Sequence, residues 1–72
     1  MKLPKGYVSP ETAYVVEFET DEDGPVQYGA FFSEAHASRL KDRLIRDGVD
    51  AERLRINIVA IHSRLEDYEW DR

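Results

Sequence analysis

Seventy-two residues allow one small domain, and a chain of this length buries only about 60% of its unfolded surface, so its core is thin. There is no cysteine, which excludes disulfides and thiolate metal sites. The net charge of −5, from 10 basic and 15 acidic residues, argues against nonspecific binding to nucleic acid.

The charge is unevenly spread. Residues 1–32 carry a net −4, residues 33–64 a net +2 and residues 65–72 a net −3. A local basic face is therefore compatible with an acidic whole. No apolar run approaches the roughly 20 residues of a membrane span. Lys2 and Lys5 are followed by no apolar stretch, so no signal peptide is expected. These features predict a cytoplasmic protein that does not engage a membrane.

Residues 1–11, with Pro4, Gly6 and Pro10, read as an irregular arm that Tyr7 and Val8 pin to the core or to a neighbour. Thr12 to Glu19 alternates as a strand, with Tyr14, Val16 and Phe18 facing the core. Asp21-Glu22-Asp23-Gly24-Pro25 supplies a turn with residues that tolerate positive φ. Val26 to Phe32 continues as the second strand of a hairpin. Its alternation puts Val26, Tyr28, Ala30 and Phe32 on one face, and Gln27, Gly29 and Phe31 on the other.

Ser33 is placed to cap a helix through its hydroxyl, with Glu34 at the positive end of the helix dipole. The helix is expected to run to about Asp47 and to end on Gly48. Ala37, Leu40, Leu44 and Ile45 form its apolar stripe, with Lys41 packing its stem inside it. Leu54 to His62 is a third strand, with Leu54, Ile56, Ile58 and Ala60 on one face and Val59 and Ile61 on the other. Ser63-Arg64-Leu65-Glu66 fits a capping box. The acidic, aromatic tail 64–72 then forms one or two helical turns docked by Leu65, Tyr68 and Trp70, or runs extended. The order is ββαβ, an α+β domain with a three-stranded, mainly antiparallel sheet, strand 1 in the centre and one helix on one face.

One helix covers one face of a sheet. Val15, Phe31, Val59 and Ile61 fall on the other by alternation, and a contiguous apolar patch marks a contact surface. Three covers are open: the tail or the arm (Leu3, Tyr7), a second copy in a homodimer, or a different protein. Tyr68 and Trp70 join the candidate partner-binding residues.

Stepping the helix at about 100° per residue puts His36, Arg39, Arg43 and Arg46 within about 80° of one another. This basic face is either a dock for phosphate or an acidic protein, or a solvated face neutralised by Asp42, Asp47 and the acidic hairpin. The hairpin acids Glu17, Glu19, Asp21, Glu22 and Asp23 likewise read as a surface for a basic partner, or as charge protecting an edge strand.

Site chemistry is sparse. Asp21, Asp23 and Gly24 match a calcium loop at three positions, but its closing bidentate position falls on Ala30. His36 and His62 do not make a metal site by themselves. Ser33 beside His36 is accounted for as a cap, and exposed carboxylate pairs such as Glu17 and Glu19 lack tuning. No cofactor, metal or catalytic residue is expected. The apolar second sheet face and the segregated charge point to a non-enzymatic interaction module, dimeric or partner-bound. A nucleic-acid-associated protein using the basic helix face, and a small oligomeric enzyme, are the alternatives.

Tyr14-Val15-Val16, the Asp-Gly hairpin and Gly29-Ala30-Phe31-Phe32-Ser33-Glu34 leading into an Ala-containing helix resemble a layout of small prokaryotic and phage ββαβ proteins. The resemblance covers about residues 13–47. It implies the same fold and an accessory role in a bacterium or its phage, and carries over no functional residue.

Overall fold

A computed structural model describes residues 3–71, so Lys2 of the arm and Arg72 of the tail lie outside the described residues. The elements are β1 (Glu11–Phe18), β2 (Val26–Phe31), α1 (Glu34–Arg46), a 3₁₀ turn at Ala51–Arg53, β3 (Leu54–Ile61) and α2 (Leu65–Asp71). The sheet is antiparallel in the order β2-β1-β3, with β1 in the centre as its alternation predicts. The fold is α+β, with α1 on one face and α2 as a short C-terminal helix.

The register explains the core. Tyr14, Val16 and Phe18 pair with Ile58, Ile56 and Leu54 of β3. These residues share one face of the pleat, and α1 lays Ala37, Leu40 and Leu44 onto it. Val16, Ala37 and Leu54 are the buried centre.

β2 departs from simple alternation. Val26 pairs with Phe18 and Gln27 with Glu17, but a bulge at Val16/Glu17 then shifts the register, so that Gly29 pairs with Val16 and Phe31 with Tyr14. One extra residue inverts the phase of every side chain beyond it. Phe31 and Gly29 therefore face α1, and Ala30 faces the other side beside Val15. The expectation that Phe31 belongs to the second sheet face is corrected by this bulge. Gly29 has a packing reason: a Cβ there would lie 3.3 Å from Leu40 Cδ2. Gly29→Val is expected to push α1 off β2 and destabilise the fold by about 1–3 kcal/mol, read as a lowered thermal midpoint; an unchanged melt would show that Leu40 yields freely.

The hairpin connection is longer than a tight Asp-Gly turn. It spans residues 19–25, with Gly24 at φ 76° and the Asp23 amide donating to Thr20 Oγ1 at 3.2 Å. Ser33 occupies the N-cap of α1 with extended backbone, but its hydroxyl makes no capping bond. The first turn, Glu34 to His36, is exposed, where water serves the free amides. At the other end Gly48, at φ 104°, donates to Ile45 O at 3.0 Å while Val49 donates to Leu44 O at 2.9 Å. This is the Schellman arrangement, and it folds Val49 back onto the core beside Leu44. The tail is helical, but the capping box does not form: the first helical bond runs from the Tyr68 amide to Arg64 O at 3.2 Å, and Glu66 lies 3.9 Å from the Arg64 guanidinium.

The shape is elongated. The Cα radius of gyration is 15.6 Å, against about 11 Å for a compact domain of this length. No helix of the described residues is long and apolar enough to cross a membrane.

Candidate interaction surfaces

The second sheet face is built from Ala13 and Val15 of β1, Ala30 of β2, and Val59 and Ile61 of β3. Val15 is 8% exposed, whereas Val59 and Ile61 remain 40% and 46% exposed. Polar side chains hold the other end of this face: Glu17 accepts from Gln27 at 3.2 Å and from Asn57, and Glu19 pairs with Arg55. Arg53 reaches Asp21 at 3.2 Å. The Asp21 hydrogen bond, helped by the charges of Asp21, Asp50 and Glu19, raises the guanidinium of Arg53 above its ordinary value.

Of the hairpin acids, Glu17, Glu19 and Asp21 are thus tied to β3 and the 3₁₀ turn, and among the described residues none is paired with α1.

The arm and the tail meet at the opposite end, where Glu11 and Ile61 are paired. Tyr7 donates its hydroxyl to the Asp71 carboxylate at 2.7 Å. Arg64 grips Asp67 with two bonds, at 2.8 and 3.2 Å, and the backbone of Val8 helps hold that carboxyl below its ordinary value. His62 sits 3.2 Å from Asp71 and edge-on to Tyr68, while Trp70 is half-buried. Asp67 is wholly buried. Its position in an acidic tail suggests a solvated residue; Arg64 three residues before it is the sequence signal of the pair. The arm and tail therefore clasp each other, and Val59 and Ile61 of the predicted patch stay half-uncovered.

The β3 edge is the second feature. β3 has β1 on one side only. Arg55 and Asn57 flank its first half, but Ile58 to Ile61 carries no charge, and Ile58 is 68% exposed on the helix side beyond the reach of α1.

The third is a cleft of about 460 Å³ between α1 and β2, lined by Phe31, His36, Arg39, Leu40, Arg43 and Arg46, and by one carboxylate, Asp42. All four residues of the predicted basic face are brought together here. Phe31 and Leu40 form an apolar floor, and the Phe31 ring stacks on His36 with centroids 6.3 Å apart. Among the described residues Arg39, Arg43 and Arg46 make no ion pair, whereas Arg53, Arg55 and Arg64 all do. The expected neutralisation by Asp42, Asp47 and the hairpin is absent from these pairings. The floor is not evident from the helix alone; the strand glycine at Gly29, a mark of close approach, is its signal.

No protein-family model, curated protein or solved structure matches this chain.

Proposed function

We propose that this chain is a non-enzymatic protein-interaction module that works as a homodimer assembled on the open edge of β3. The observation that carries this reading is the uncharged run Ile58 to Ile61 on an edge strand, with large apolar side chains exposed on both of its faces. Natural edge strands are normally blunted by charge, proline or cover; this run has no charge or proline, and its side chains are exposed. Two copies pairing β3 against β3 about a two-fold axis would make one continuous six-stranded sheet.

A cysteine-free, cytoplasmic setting in a bacterium or its phage fits this use.

The test is absolute mass by light scattering on a sizing column over a range of concentrations. A mass near twice 8.4 kDa is expected. Ile58→Lys is expected to return the monomer with an unchanged circular dichroism spectrum, because Ile58 already faces solvent in the single chain. A monomer for the parent at every concentration overturns the reading.

A further inference from the structure

We infer that the cleft between α1 and β2 receives an extended acidic protein segment, added as a strand to the free edge of β2. This deepens the interaction-module reading by naming a partner class, and it does not depend on assembly through β3.

β2 is the other edge of the sheet, so one side of its backbone is unpaired. α1 runs back along it: His36 stacks over Phe31, and Leu40 lies over Gly29. Two strand residues advance about 6.8 Å. Four helical residues advance about 6 Å. The helix row therefore keeps nearly the same step as alternate positions of a neighbouring strand.

An added strand lies about 4.8 Å outside β2, and its alternate side chains project on the helix side of the sheet. That is the side where Arg39 and Arg43 hang over the cleft without internal partners among the described residues. Carboxylates at alternate positions thus meet guanidiniums at matching intervals, with Arg46 and His36 at the two ends. Guanidinium and carboxylate suit each other in planar, two-pronged contact. The intervening side chains project to the opposite face, beside Ala30 and the exposed ring of Tyr28. They are best apolar. The recognised pattern is acid, apolar, acid, apolar in extended conformation, the strand-addition mode of peptide capture.

A protein segment is favoured over a polynucleotide on two grounds. The chain carries −5 overall, which penalises the long run of phosphates in a nucleic acid more than two or three carboxylates. The free edge of β2 also presents both N–H and C=O groups, which an extended peptide pairs in full, whereas a phosphodiester backbone carries acceptors but no donor for the carbonyls.

The experiment is fluorescence anisotropy with a labelled peptide of alternating Glu and Val, about eight residues long to match a strand, at ~50 mM salt. Saturable binding is expected, weakened about tenfold by Arg43→Glu, since loss of a close charge pair acts mainly on affinity. Lys5→Glu, which changes the net charge equally but lies on the exposed arm, is expected to leave binding nearly unchanged. Methylating alternate peptide amides is expected to abolish binding. No binding, equal weakening by Lys5→Glu, tolerance of amide methylation, or tighter binding of an oligothymidylate of the same length each overturns the inference. The readout is separate from mass: a monomer that still binds the peptide removes the β3 assembly alone.

Discussion

Leu54→Ala is expected to leave the protein largely unfolded at 25 °C. Leu54 is 5% exposed at the first position of β3, paired with Phe18 and packed between Val16 and Ala37. Val16 and Ala37 are too short to swing in and refill the space. Truncating a buried leucine costs about 2–5 kcal/mol. A single core in a chain of this size rarely supplies more than about 3–5 kcal/mol. The substitution therefore removes most of the margin. The measurement is urea unfolding followed by far-ultraviolet circular dichroism, with Leu65→Ala as the comparison. Leu65 is exposed on α2, and its truncation is expected to stay within about 0.5 kcal/mol of the parent. A cooperative Leu54→Ala transition close to the parent's would mean that the β1–α1–β3 centre is not the main source of stability.

Leu54→Ala also bears on assembly. Burial of Ile58, Val59 and Ile61 in a dimer adds stability that depends on concentration. If β3 pairs with a second copy, raising the concentration of Leu54→Ala recovers part of the folded signal.

Elements with one dominant signal were legible in the amino-acid order. β1 and β3 alternate cleanly because each has one face toward α1, and the observed faces of Leu54 to Ile61 follow that alternation. α1 ends where Gly48 permits a positive φ. What escaped the sequence had non-local causes. The bulge opposite Glu17 depends on how two strands meet, and it moved Phe31 from the second sheet face to the floor of the basic cleft. The Ser33 and Ser63 caps are pattern matches that compete with solvent, and neither hydroxyl makes the bond its position allows among the described residues. The basic face of α1 was visible from helical spacing alone. Its lack of partners was not, because the hairpin acids could be assigned to Arg53 and Arg55 only once β3 was in place.

Asp67→Asn is expected to release the arm and α2 from each other while the sheet stays folded. Asp67 is the one buried charged side chain among the described residues; it takes both prongs of Arg64, and the backbone of Val8 in the arm favours its charged form. An amide in its place keeps the shape but loses the charge, and one of its two ends presents hydrogens to a donor. The Arg64 guanidinium holds the Asp67 carboxyl below its ordinary value, with burial opposing. The carboxylate therefore contributes stability above about pH 4, the unfolded value, and that contribution fades as pH falls through the lower folded value. Tyr7 acts in the opposite sense. Its hydrogen bond to Asp71 raises the phenol above its ordinary value, so its contribution is present below about pH 10 and is lost as pH rises through the folded value. The clasp thus loosens at both extremes, through different residues. Trp70 fluorescence reports it, since that ring is half-buried in α2 and is the only tryptophan of the chain. A shift to longer wavelength is expected below about pH 4 and above about pH 10 in the parent. In Asp67→Asn the shift is expected already at neutral pH, and the acid step is expected to vanish. Tyr7→Phe is expected to remove the alkaline step alone. An Asp67→Asn spectrum identical to the parent's at neutral pH would mean that the arm and α2 are held by apolar contact, with the buried carboxylate incidental to it.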